Sequence, residues 1–164
     1  MKSRLAHIRV DSLRLNLLLW YRHDGQKRRM IMTYTATKWN TVEDKEKFTK
    51  HFKQFVEKGF PKSMFHKEFY NRMSIMRGHI AHYNQMGFFS TWFSTAEQRA
   101  KFLRLWIHTP IYGNPTYTWS DVEEVLCTWL QEHPEYLERE RSAHVYRVES
   151  LEKAELVRLK AKYE

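Results

Sequence analysis

The apolar residues of this chain change their spacing near residue 41, and this change limits the folds that the chain can adopt. Before residue 41 many of them occupy every second position, which is the period of a β-strand. After it they recur every third or fourth position, which is the period of an α-helix. We therefore expect an α+β protein, with an N-terminal antiparallel β-hairpin or meander followed by a bundle of four to five helices.

The N-terminal segment predicts three antiparallel strands, over residues 4–10, 13–22 and 27–37. The dipeptide Asp24-Gly25 precedes the third strand, and it favours a tight hairpin turn because both residues tolerate a positive φ. In the third strand, Thr33, Thr35 and Thr37 would lie on one face.

Helix signals begin at Thr41, which is a predicted N-cap, and Gly59 is the predicted end of this first helix. Its predicted apolar stripe consists of Phe48, Phe52, Phe55 and Val56. A second helix is predicted over about residues 64–86, with Gly87 as its C-terminal stop. The predicted capping boxes at residues 94–97 and 120–123 each start a further helix.

The final predicted helix is long and highly charged. We expect one compact domain over residues 1–134, and a charged C-terminal helix over residues 135–164 that has neither Gly nor Pro. Its thin apolar seam consists of Val145, Val148, Leu156 and Leu159. This helix would either pack along the body of the protein or pair with a second copy to form a homodimer. Between the two capping boxes, residues 108–119 predict a loop.

The cysteine count restricts both compartment and chemistry. Cys127 is the single cysteine, so the chain forms no internal disulfide and offers no thiol cluster for zinc. A reducing cytoplasm fits this usage. The longest apolar run, residues 17–21, is too short to cross a bilayer, and no signal peptide is expected. No spacing typical of a nucleotide-binding loop or a metal site is present, so we expect neither a cofactor nor a metal.

Positive charge is concentrated in the first half of the chain. Residues 1–87 contain 18 Lys and Arg against 7 Asp and Glu, whereas residues 88–134 contain 3 against 5 and residues 135–164 contain 7 against 7. A basic N-terminal half joined to a neutral or acidic C-terminal half is typical of a protein that binds a polyanion with one face. We therefore predict a non-enzymatic protein that binds DNA or RNA.

Phosphate contacts are predicted from two elements of this basic half. The hairpin would contribute Arg22, Lys27, Arg28 and Arg29, and the first helix would contribute Lys50 and Lys53. Cations at the tip of a narrow β-ribbon reach backbone phosphates readily.

Two other interpretations remain open. The string Arg77-Gly78-His79-Ile80-Ala81-His82-Tyr83-Asn84 resembles the Arg–polar–three residues–His motif of HEPN-type ribonucleases, which are compact helical proteins. The resemblance covers eight residues and implies metal-independent RNA cleavage at a dimer interface, with Arg77 on a phosphate and His82 in acid–base catalysis. The other interpretation is a small adaptor or inhibitor that docks on an acidic surface of a nucleic-acid-processing protein.

Overall fold

The computed structural model describes residues 34–76, 84–108 and 113–163, of which 81% are helical. The α-helices are α1 (Val42–Glu57), α2 (Lys67–Met76), α3 (Gln85–Trp92), α4 (Ala96–His108), the one-turn α5 (Pro115–Thr118), α6 (Ser120–Glu132) and α7 (Glu135–Tyr163). A short 3-10 helix, Lys62–Met64, lies between α1 and α2. Helix α4 packs against α3, α6 and α7, and α1 packs against α6. A search of the described helices found none with the length and apolarity needed to cross a bilayer.

The predicted α+β fold is wrong, because the described residues form a helical bundle without a strand or sheet. Only residues 34–37 of the third predicted strand are described, and they adopt an irregular conformation. The Tyr34 hydroxyl hydrogen-bonds with Thr49 of α1 at 2.7 Å, and the Thr35 N–H donates to Asp121 of α6 at 2.8 Å. Helices therefore supply partners that a neighbouring strand would otherwise provide. The predicted strands over residues 4–10 and 13–22 lie outside the described residues.

Aromatic rings make up most of the core. All ten phenylalanines of the chain are buried, and the predicted stripe of α1 is confirmed as part of this core. The ring of Phe93 meets Phe55 and Phe102 edge to face, at centroid distances of 5.1 and 4.7 Å. Each such pair contributes about 0.5–1.5 kcal/mol beyond the burial of its area. The front half and the rear half of the described chain are thus joined by one aromatic cluster.

Helix α1 begins and ends where the sequence predicts. The Asp44 N–H donates to the Thr41 hydroxyl at 3.2 Å, and the Thr41 N–H donates to the Asp44 carboxylate at 2.9 Å, which completes a capping box. At the other end, Gly59 has a φ of 76° and the Phe60 N–H donates to the Phe55 carbonyl at 2.8 Å. This six-to-one bond after a left-handed glycine is the Schellman arrangement.

The second predicted helix differs from the observed one. Helix α2 is described over Lys67–Met76, and residues 77–83 of the predicted helix lie outside the described residues. Gly87 does not stop a helix, because it lies inside α3 and its N–H donates to the side chain of Asn84 at 2.7 Å. The asparagine cap starts a new helix here, and its effect outweighs the tendency of glycine to end one.

The predictions for the two later capping boxes are also wrong. At the start of α4 the reciprocal bonds join Thr95 and Gln98, at 3.0 and 3.2 Å, one residue later than predicted. At the start of α6, Ser120 does not cap the helix, because its hydroxyl donates to a backbone carbonyl of the preceding loop at 2.6 Å. Both helices are nevertheless present.

A buried ion pair joins the first and the sixth helices. The side chain of Lys45 is completely buried, and its ammonium lies 2.8 and 2.9 Å from the two carboxylate oxygens of Asp121. A third bond runs from the ammonium to the Pro115 carbonyl at 3.0 Å. Lys45 lies three residues before Phe48, so it occupies the apolar stripe of α1. The fold therefore depends on a buried ammonium that donates to three acceptor oxygens, two from the carboxylate and one from the backbone.

Substitution of Lys45 by methionine tests this dependence. Lys45→Met leaves the Asp121 carboxylate without its cation, so we expect the free energy of unfolding to fall by about 3 kcal/mol or more. Urea unfolding followed by circular dichroism measures the change. Lys50→Met, at an exposed position of the same helix, is the control and should change stability by less than about 0.5 kcal/mol. Equal losses in the two variants would show that the ion pair does not hold the bundle together.

A second buried charge fixes the base of α7. Glu140 is 3% exposed and binds Arg99 of α4 at 2.6 Å and Arg139 at 2.9 Å. Arg139 also donates to the last carbonyls of α1, those of Val56 and Glu57, at 2.8 and 3.1 Å. The first turns of α7 are therefore held to α4 and to the carboxyl end of α1.

Candidate functional site

A pocket of about 210 Å³ opens between α1 and α2, and we call it the histidine pocket. Its floor is formed by Phe48 and Phe69 of the core. Its polar lining consists of Asp44, Lys47, His51, His66, Glu68 and Arg72. It is the described site in which imidazole, ammonium and guanidinium groups come together in the basic half of the chain.

A backbone carbonyl fixes the proton on His51. The Nε2 atom lies 2.9 Å from the carbonyl oxygen of Met64, which only accepts hydrogen bonds, so Nε2 carries a proton and donates. The ring also packs edge to face on Phe69, at a centroid distance of 4.5 Å. The other ring nitrogen, Nδ1, has no hydrogen-bond partner among the described residues, so it is free to accept a hydrogen bond.

The proton of His66 is fixed by a bond that the ring accepts, whereas the proton of His51 is fixed by a bond that the ring donates. Its Nδ1 accepts a bond from the Phe69 N–H at 3.2 Å, in the manner of an N-cap at the start of α2. The proton of the neutral ring is therefore on Nε2. The His51 and His66 rings are 5.1 Å apart. The pair thus offers one free lone pair and one N–H donor.

Two cations border this histidine pair. Lys47 is exposed on α1. The Arg72 guanidinium donates to the side-chain oxygen of Asn40 and lies 5.4 Å from the centroid of the Trp119 ring. A guanidinium held by stacking and a hydrogen bond loses little freedom when it binds an anion.

Two carboxylates of the pocket oppose these cations in part. Asp44 is engaged in the capping box of α1, where it accepts the Thr41 N–H at 2.9 Å. Glu68 lies in the first turn of α2, where the positive end of the helix dipole favours a carboxylate. The fixed charges of the pocket are therefore balanced, with two cations and two carboxylates in its lining.

The predicted contacts Lys50 and Lys53 line a separate groove on the other side of α1. This groove of about 400 Å³ also contains Tyr34, Glu46 and Glu57. Lys50 is exposed. Lys53 is partly buried, with its ammonium 5.4 Å from the centroid of the Trp129 ring. Burial lowers the pKa of the Lys53 ammonium, whereas the carboxylates of Glu57 and Glu132 act in the opposite direction. Charges of both signs therefore line the groove.

The environment of the Tyr34 phenol in this groove can be tested by measuring stability as a function of pH. Burial raises the pKa of Tyr34, and the carboxylates of Asp121 and Glu46 act in the same direction. Above about pH 10 the unfolded chain releases the phenolic proton while the folded chain retains it, so the contribution of Tyr34 to stability is lost as the pH rises further. At neutral pH that contribution includes the hydrogen bond with Thr49.

We expect Tyr34→Phe to lower the free energy of unfolding by about 1 kcal/mol at neutral pH. The difference in the free energy of unfolding between wild type and variant should become smaller as the pH rises from about 7 to about 10.5. Urea unfolding at the two pH values measures it, with Tyr117→Phe, a change at an exposed tyrosine, as the control. A gap that widens with pH would contradict the assigned environment of Tyr34.

The remaining predicted site residues lie outside the described residues. They are Arg22, Lys27, Arg28, Arg29, Arg77 and His82. Within the part of the chain that the structure describes, no group of three or more His, Cys, Asp or Glu side chains is arranged to hold a metal ion.

Sequence reasoning did not single out Lys47, His66 or Arg72. No motif in the sequence links these three residues, and only the packing of α1 against the start of α2 brings them to one pocket. The one local signal is the three-residue interval from His66 to Phe69, but histidine is not a typical N-cap residue.

Comparison of the chain with protein-family models, with curated proteins and with solved structures found no match in any of the three.

Proposed function

We propose that this protein binds nucleic acid through its basic N-terminal half, and that the histidine pocket holds a backbone phosphate. One observation carries the proposal. Lys47, Arg72 and two imidazoles with fixed protons converge at the N-terminal end of α2, within the part of the sequence that is richest in Lys and Arg. Helix N-termini and guanidinium groups are common partners of phosphate oxygens.

The donors of the pocket match an oxyanion. The Nε2–H of His66 is a donor in the neutral ring, and Arg72 retains N–H groups beyond the one that binds Asn40. Lys47 adds a mobile ammonium at the rim. A phosphate in the pocket would thus meet one imidazole N–H, one guanidinium and one ammonium.

The wider contact surface follows from the charge distribution. Lys50 is exposed in the separate groove on the other side of α1, so a phosphate that it contacts lies outside the histidine pocket. The hairpin cations Arg22 to Arg29 remain predicted contacts. Because Lys53 is partly buried beside Glu57 and Glu132, we expect it to contribute less than Lys50.

Counterion release gives the test. Labelled single- and double-stranded DNA and RNA are titrated with protein at several salt concentrations, with fluorescence anisotropy as the readout. We expect log K to fall by about 0.9 per log unit of salt for each phosphate contacted on duplex DNA, and by about 0.7 on single strands. Lys47→Glu should make the slope less steep by about one unit or more.

The matched control is Arg104→Glu, which changes the net charge equally at an exposed position of α4, in the half without excess Lys and Arg. If both variants make the dependence of log K on salt less steep by the same amount, the effect is due to the net charge of the protein and not to the histidine pocket. Binding that does not depend on salt would contradict the proposed function.

The same titrations discriminate the alternatives. Degradation of the RNA by wild type but not by His82→Ala would favour the ribonuclease that residues 77–84 resemble. Absence of binding to all four nucleic acids at low salt would favour the adaptor, and a single acidic protein that remains bound after nuclease treatment would then be its partner.

A further inference from the structure

Among the residues that the structure describes, none covers the outer part of α7. Every residue from Val145 to Tyr163 is exposed, although the preceding turns are anchored at Glu140. At 1.5 Å per residue this exposed segment is about 28 Å long. It carries eight large apolar side chains that are at least 38% exposed, from Val145 at 54% to Tyr163 at 75%.

Five of these eight residues are aligned, whereas Tyr146, Leu151 and Val157 lie on other faces of the helix. Positions 145, 148, 152, 156, 159 and 163 follow each other at intervals of three or four, and at 100° per residue they fall within an arc of about 80°. Five of them are apolar, namely Val145, Val148, Leu156, Leu159 and Tyr163. The sixth is Glu152. We call this row the α7 stripe. A straight helix carries such a stripe without supercoiling, because its average spacing is close to 3.6 residues.

The stripe is nearly symmetrical about Ala154. Two copies that run in opposite directions about this point bring Val145 opposite Tyr163 and Glu152 opposite Leu156, and they bring Val148 to within one residue, about 1.5 Å, of the position opposite Leu159. The apolar positions therefore cover one another at both ends of the contact. Ala154 itself lies on the opposite side of the helix, half a turn from the stripe.

The charges favour this antiparallel direction. Glu155 and Arg158 already pair within the helix at 2.6 Å. Glu149 and Lys160 border the stripe on the same side, and Glu152 lies within it. In an antiparallel pair, Glu149 lies opposite Lys160 of the second copy, and Glu152 is within reach of the same lysine. In a parallel pair, the two Glu152 carboxylates would face each other in the apolar contact, which is unfavourable.

We propose that the exposed part of α7 binds a second copy of this chain, as an antiparallel helix pair centred on Ala154. The contact involves one stripe on each helix, so it falls at the small end of protein interfaces, below about 1,200 Å² in total. We therefore expect a dimer whose population rises with protein concentration. The pairing is independent of the proposed function in nucleic-acid binding.

Light scattering and sedimentation velocity over a range of concentrations test whether the dimer forms. Leu156→Lys should shift the protein to monomer, whereas Ala154→Lys, on the uncovered side, should leave the dimer in place. A protein that stays monomeric up to its solubility limit overturns the proposal. A dimer that persists in Leu156→Lys also overturns it.

A charge swap tests the direction of the helices. Glu149→Lys and Lys160→Glu should each raise the dissociation constant by roughly tenfold, because two like-charged pairs form per dimer. The double variant Glu149→Lys/Lys160→Glu should restore the wild-type value. In a parallel pair these two positions are eleven residues apart, so no rescue would occur, and absence of rescue overturns the antiparallel arrangement.

Disulfide trapping gives an independent readout in a Cys127→Ala background. A mixture of Val145→Cys and Tyr163→Cys chains should yield the mixed disulfide in excess over both homodimers. Ala154→Cys is the control and should not cross-link. Homodimeric disulfides in excess would show parallel helices and would overturn the proposal.

Discussion

The ion pair between Lys45 and Asp121 is the interaction on which the rest of the described structure depends. A buried ammonium is tolerated only when it is paired and hydrogen-bonded, and here it reaches the carboxylate of α6 and the carbonyl of Pro115 together. The same carboxylate accepts the Thr35 N–H, so the segment before α1 is held at the same point. The ammonium also lies 5.8 Å from the centroid of the Trp119 ring, the ring against which the guanidinium of the histidine pocket rests. One charge therefore fixes both the helix packing and one wall of the candidate site.

In the histidine pocket, bonds that build the fold also determine the chemistry. His66 starts α2 through the bond from the Phe69 N–H, and His51 ties α1 to the 3-10 helix through the Met64 carbonyl. Neither bond requires a ligand. Yet each bond decides which nitrogen of its ring keeps the proton, and the two rings consequently present different atoms to the pocket. The binding properties proposed for the pocket arise from ordinary helix-terminal contacts.

The sequence predicted the helices better than the contacts between them. The start of α1 at Thr41 and its end at Gly59 follow from local rules, and both are confirmed. The strand over residues 27–37 is predicted from alternation and from the Asp24-Gly25 turn signal, and neither shows whether a strand or a helix will supply the hydrogen-bond partners. Lys45 was missed because an ammonium in an apolar stripe has meaning only once Asp121, 76 residues later, is known to be its partner. The histidine pocket was missed for the same reason, since tertiary packing alone assembles it.

The continuity of α7 has a consequence for distance. The helix runs from Glu135 to Tyr163 as a single element without glycine or proline, and buried Glu140 fixes its base to the bundle. A helix of this kind bends little over its length. Whatever its outer turns contact is consequently held at a defined separation from the aromatic core, so α7 acts as a rigid spacer whose length is set by the number of residues after the anchor. Inserting or removing residues there would change both that separation and, by 100° per residue, the direction in which the outer turns face.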